Sequence, residues 1–94
     1  MRKSHKRWSI AEELQALYIY LFGTDNIPYS IDEVAEQMER TSAAVRNRLS
    51  NIRYLDIKKG YSNAANQTKL VYRENKDKSE LELLRLAFPE LCKN

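Results

Sequence analysis

Arg46, Asn47, Ser50 and Arg53 recur at a spacing that lines them along one stripe of a helix, about 15 Å long at ~1.5 Å per residue. These side chains have the chemistry to read base edges. An arginine fork pairs with guanine and an asparagine amide with adenine, so Arg46 and Asn47, with Ser50 beside them, are candidate base contacts. Upstream, Thr41 and Ser42 offer hydroxyls where a helix start offers free amides to a phosphate. Arg48 lies nearer the apolar edge and is expected to reach backbone phosphate, with Arg53, Lys58 and Lys59 as further backbone contacts. The plain alternative is a set of solubilising charges on a core helix.

Little else in the chain can do chemistry. His5 stands alone in a basic stretch with no neighbouring cysteine, which leaves no zinc pattern and a poor general base. Cys92 is the single cysteine, so no internal disulfide forms. The paired acids Glu12/Glu13 and Asp32/Glu33 both fall in the first turns of helical patterns, where capping accounts for them. A glycine-rich phosphate loop is missing. The expectation is a binding module rather than an enzyme, with no metal and no cofactor.

Charge is sorted along the chain. Arg2, Lys3, Lys6 and Arg7 make an N-terminal stretch of +4, and residues 9 to 39 carry seven acids and no Lys or Arg. Residues 40 to 73 then hold Arg40, Arg46, Arg48, Arg53, Lys58, Lys59, Lys69 and Arg73 against Asp56 alone. The net charge of +3 therefore conceals a strongly basic segment, and charge of one sign is what neutralises phosphates. Residues 1–8 read as a basic arm able to enter a minor groove or follow the backbone, with plain disorder as the alternative. No apolar run approaches the roughly 20 residues needed to span a bilayer, and no signal-peptide pattern opens the chain. A soluble, cytoplasmic protein is expected, nucleoid-associated when bound.

Helical periodicity supplies the elements that position these residues. Ile10, Leu14, Leu17, Tyr18 and Leu21 predict a first helix over Ser9 to Phe22, with Glu12, Glu13, Gln15 and Tyr20 nearer the outer face. Ser9 and Glu12 have the capping-box spacing, and Gly23 suits a left-handed C-terminal cap. Ser30 and Glu33 form a second capping box before a short helix, Ile31 to Glu39, with Tyr29 and Val34 in staple positions. After a break at Arg40 to Ser42, a third helix reaches about Leu55, burying Val45, Leu49 and Ile52. Two helices joined by so short a turn, the second longer and basic, have the pattern of a helix-turn-helix, although any helical hairpin shows it too. Periodicity lapses after Asp56, from Ile57 to Tyr61, and Gly60 is expected to take a positive φ. Ser62 or Asn63 would cap a helix to about Asn75 that buries Leu70, Val71 and Ala65. Ser79 with Glu82 caps a last one presenting Leu81, Leu84 and Phe88, stopped by Pro89. Residues 75 to 78 fit either a link or part of one long helix. Trp8 is expected to pack on the core.

Two resemblances follow from these residues. Arg7 to Leu55, with RWS, SIDEVAEQM and RTSAAVRNRL, resembles the Myb/SANT-type tryptophan-led three-helix DNA-binding fold. The run SAAVRNRLSNIRYLDIKKGYSNAANQTKLVYRE resembles the N-terminal helical module found ahead of HNH-type and related restriction endonuclease domains. Leu49, Asn51, Leu55, Asp56, Lys59, Gly60, Ser62 and Asn63 carry it, Tyr72 stands where that group often has tryptophan, and Ile57 replaces its usual proline. The resemblance covers about a third of the chain. It implies DNA recognition in bacterial or phage defence, with the nuclease domain or subunit elsewhere. The combined expectation is an all-α domain over 9–94, with a three-helix helix-turn-helix core at 9–56 and a C-terminal extension of one or two helices at 57–94. Its expected partner is double-stranded DNA, as the targeting module of a defence nuclease or as a small transcriptional regulator. The competing expectation is a protein-interaction module that uses the acidic first two helices.

Overall fold

Local signals at the helix starts decide where most of the elements begin. The computed structural model describes residues 7–92, which hold five α-helices and no strand. They are α1 (Ile10–Phe22), α2 (Ile31–Met38), α3 (Ser42–Ile57), α4 (Asn66–Asn75) and α5 (Glu80–Ala87), followed by a 3₁₀ turn at Pro89–Cys92. Reciprocal capping boxes open α1 at Ser9/Glu12, α2 at Ser30/Glu33 and α5 at Ser79/Glu82. Each contributes about 1 kcal/mol by satisfying amides that the first turn would leave unpaired. Residues 1–6 and 93–94, including the arm residues Arg2, Lys3 and Lys6, lie outside the described residues.

The core is built around α1. Glu13, Leu14 and the run Ala16 to Ile19 are all buried, so burial extends around much of the middle of α1. It packs on α5 at one side and on α3 and α4 at another. This corrects the expectation for Glu13, placed nearer the outer face; Glu12, Gln15 and Tyr20 are partly exposed but each is bonded to another element. Gln15 donates to the Ala87 carbonyl at 3.0 Å, Tyr20 to Asp56 at 2.7 Å, and Glu12 pairs with Arg40 at 3.1 Å. Ile10, expected inward, is half exposed. Gly23 has the anticipated positive φ of 76°, but its ψ of −164° is not that of a left-handed helical cap.

The two C-terminal helices also rotate relative to expectation. In α4 the inward residues are Thr68 and Val71, while Leu70 and Ala65 are exposed. Its start is later than Ser62 or Asn63, with Ala65 at the cap and no side-chain cap bond. In α5 the buried residues are Leu83 and Ala87, with Phe88 just beyond, whereas Leu81 is exposed. The Phe88 ring meets Tyr18 edge-on at 5.8 Å, an arrangement that aromatic quadrupoles favour. Residues 76 to 78 form a turn, so α4 and α5 are separate helices joined by a link.

One polar cluster lies inside this packing. Glu13 is 2% exposed, and both its carboxylate oxygens accept from the Thr68 hydroxyl at 3.0 Å. Arg48 donates to the Thr68 oxygen and lies 3.6 Å from Glu13, while Gln67 donates to Glu13 at 3.3 Å. The Trp8 ring has the guanidinium of Arg40 at 4.6 Å and that of Arg48 at 4.4 Å from its centroid. Gln67 also holds the Trp8 carbonyl at 2.6 Å. Trp8 therefore packs against the core, as expected, with cations on its ring. Removing one member of such a set leaves a buried charge without compensation. Glu13→Ala should lower unfolding free energy by roughly 3–5 kcal/mol in urea titrations, with Thr68→Val costing about 1–2 kcal/mol. A loss below about 1 kcal/mol for Glu13→Ala would show that the cluster is dispensable to the fold.

Candidate nucleic-acid interface

The outer face of α3 is set by its inner one. Val45 and Ile52 are buried, Arg48 reaches inward to Glu13 and Thr68, and Asp56 accepts from two tyrosines of other helices. These residues fix the rotation of the helix and leave Arg46, Asn47 and Arg53 exposed. None of those three has a hydrogen-bond or ion-pair partner among the described residues. Lys58 and Lys59 follow in an exposed loop. Five of the residues singled out from the sequence thus remain available together on α3 and the loop after it.

The other candidates on this segment are spent on the structure. Arg48, expected to reach a phosphate, is committed to Glu13, Thr68 and Trp8 because its helical position faces the core. Ser50, expected to read a base, anchors the following loop: its carbonyl and hydroxyl oxygens accept from the Tyr61 amide at 3.3 and 3.2 Å. Thr41 caps α3 by accepting from the Ala44 amide at 3.1 Å, which leaves only its hydroxyl proton to offer. Ser42 donates to Asp32 of α2 at 2.5 Å. The α3 N-terminus is therefore capped and faced by an acid, a poor place for a phosphate. Of the basic arm, Arg7 is described and exposed, and its carbonyl accepts from Arg40 at 3.1 Å.

The loop after α3 doubles back along the helix. Lys58 ends α3 in the left-handed conformation at φ 61°, and its ammonium lies 5.4 Å from the Tyr54 ring centroid. Gly60 has φ 110°, as its position predicted, and a Cβ there would sit 2.6 Å from the Ser50 carbonyl oxygen. Only glycine permits so close an approach. Asn51 completes the attachment by donating to the Tyr61 carbonyl at 3.1 Å and to Asn63 at 3.3 Å. Between α3 and α1 lies a shallow groove of about 300 Å³ lined by Arg46, Leu49, Ser50, Arg53 and Tyr20.

Asp56 is the residue that sequence reasoning missed, and its signal was visible as the single acid in the basic block. Its two carboxylate oxygens accept from Tyr20 of α1 at 2.7 Å and Tyr72 of α4 at 2.8 Å. The Tyr20 and Tyr72 hydrogen bonds hold its carboxyl below the usual range. Burial, reinforced by Asp56, pushes both tyrosines up to about 12. No group of three or more His, Cys, Asp or Glu among the described residues is placed to hold a metal ion. None of the helices is long and apolar enough to cross a membrane.

These shifts have opposite consequences at the two ends of the pH scale. A tyrosine whose pKa is raised in the folded state contributes stability that is intact below about pH 10 and lost as pH rises towards 12. A carboxylate whose pKa is lowered contributes stability present above its ordinary value and lost as pH falls through the folded one. Urea midpoints should be nearly flat from about pH 6 to 9 and decline above 10. In the Tyr20→Phe/Tyr72→Phe double variant the alkaline decline should shrink without disappearing, since Tyr18 is also raised to about 12. An undiminished decline would place the alkaline sensitivity elsewhere.

No protein-family model, curated protein or solved structure matches this chain. The use of the surface follows from its own charges, exposures and hydrogen bonds.

Proposed function

We propose that this chain binds double-stranded DNA through the outer stripe of α3 and the loop that follows it. The carrying observation is that Arg46, Asn47 and Arg53 stay exposed, with no hydrogen-bond or ion-pair partner among the described residues, on a helix whose other sides are engaged. Lys58 and Lys59 extend the positive charge into a loop pinned to the same helix. The three residues 39–41 that join α2 to α3 support reading the pair as a helix-turn-helix with α3 as recognition helix. Arg46 and Asn47 then contact base edges, while Arg53, Lys58 and Lys59 contact backbone. Arg2, Lys3, Lys6 and Arg7 add an arm. The exposed acids Asp32, Glu33 and Glu36 of α2 and Glu39 just beyond it border the α3 N-terminus, so DNA lies towards the C-terminal half of α3. Such a module serves either as the targeting part of a restriction-type nuclease or as a small transcriptional regulator.

A second reading, a protein-interaction module, draws on that acidic α2 surface. It loses α1, because Glu12 pairs with Arg40 and Glu13 is buried.

Retention on duplex DNA separates the two. With four to six phosphates neutralised, log affinity should fall with log salt at a slope of about −4 to −5. A slope near zero on unrelated duplexes would sink the DNA reading in favour of protein interaction. Within a DNA complex, Lys59→Ala should weaken all sequences about equally, whereas Asn47→Ala or Arg46→Ala should flatten the preference between sequences. Equal effects from all three would mean that α3 does not read bases.

A further inference from the structure

Five of the six tyrosines are used by the fold. Tyr18 donates to Glu80, Tyr20 and Tyr72 to Asp56, and Tyr29 to Glu90, while Tyr54 carries the Lys58 ammonium on its ring. Tyr61 differs. Its side chain is 53% exposed and makes no hydrogen bond or ring contact with the described residues. Its backbone, in contrast, is held on both sides: the amide by Ser50 and the carbonyl by Asn51. Gly60 immediately before it is pressed against Ser50, which fixes where the ring emerges. A free aromatic ring on an immobilised backbone is preorganised to receive a flat partner with little loss of chain entropy.

The surroundings specify that partner. Lys58 and Lys59 precede Tyr61 in the loop, and both are exposed. Ser50, to which Tyr61 is bonded, is one helical turn from Arg46 on one side and Arg53 on the other, and all three line the same groove. A DNA backbone held by Arg53, Lys58 and Lys59 passes the loop that carries Tyr61, with its bases towards Arg46. Resting on the DNA-binding reading above, we infer that the Tyr61 ring stacks on a nucleobase displaced from the duplex. The chain therefore prefers DNA with an unpaired base to fully paired DNA. Every base offers a π-face, so this contact adds affinity for the displaced base whatever its identity. The hydroxyl takes no part, because the ring alone makes the stack.

The test uses labelled duplexes that are identical except for one bulged 2-aminopurine, titrated with wild-type protein, Tyr61→Phe and Tyr61→Ala. Wild type and Tyr61→Phe should bind the bulged duplex more tightly than the paired one. Tyr61→Ala should lose about five- to hundredfold on the bulged duplex, the range for one base–aromatic stack, with little change on the paired one. In saturated complexes 2-aminopurine emission should be quenched by wild type and Tyr61→Phe relative to Tyr61→Ala. If wild type binds both duplexes and Tyr61→Ala matches it on each, or weakens both equally, the stacking role is overturned and the DNA reading stands. If wild type binds neither duplex, the DNA reading itself falls.

Discussion

Glu13 places a carboxylate in the interior of an 11.1 kDa protein, where desolvation of an ion costs several kcal/mol unless geometry compensates it. Compensation comes from two other helices at once. Thr68 and Gln67 of α4 donate to it, and Arg48 of α3 supplies the opposite charge. The arginine is itself stacked on Trp8, whose carbonyl Gln67 holds. The cluster therefore does more than satisfy one buried acid. It sets the relative positions of α1, α3 and α4 and fixes the path by which the chain enters α1.

A second polar clamp stands at the far end of the same three helices. Along α1 the anchored residues run from Glu13 to Tyr20, along α3 from Arg48 to Asp56, and along α4 from Thr68 to Tyr72. The three helices are thus tied to one another at two points by polar contacts that a shift of one residue would break. Apolar contacts such as Val45, Ile52 and Val71 fill the space between, but they tolerate small rotations that the clamps do not. For the outer stripe of α3 this rotational definition decides everything. Ile52 is buried and Arg48 and Asp56, four residues to either side, bond to α1 and α4, which puts Arg46, Asn47 and Arg53 on the other side.

How much of this was legible depends on whether the signal is local. Capping boxes at Ser9, Ser30 and Ser79 and the positive φ of Gly60 are properties of a few consecutive residues, and the chain displays them openly. Burial of a whole face is not local. The segment ELELLRLAF has leucines on every side of a helix, so periodicity alone cannot choose Leu83 over Leu81; packing against α1 does. Ser62 and Asn63 have the right chemistry for a cap, but Asn63 accepts from Asn51 and the loop runs back along α3, so α4 starts at Asn66. Glu13 was placed nearer the outer face and Arg48 at the apolar edge reaching for phosphate, and nothing in either local neighbourhood reveals that the other is its partner. The same limit separated the candidate site: Arg46, Asn47, Arg53, Lys58 and Lys59 stay outside, whereas Arg48 turns in to Glu13 and Ser50 holds the Tyr61 amide.

The sorting of charge along the chain is, in this light, partly a folding device. Two acids of the acidic block meet two bases of the basic block, Glu12 with Arg40 and Glu13 with Arg48, across separations of 28 residues or more. Both pairs lie beside Trp8, so opposite blocks are drawn together where α1 begins. Once those bases are neutralised inside, Arg46, Arg53, Lys58, Lys59, Lys69 and Arg73 remain exposed. Exposed like charges oppose one another and add nothing to stability. The charges that build the fold and those that stay on its surface have the same chemistry in the sequence. They are told apart only by which of them find an acid when the helices close.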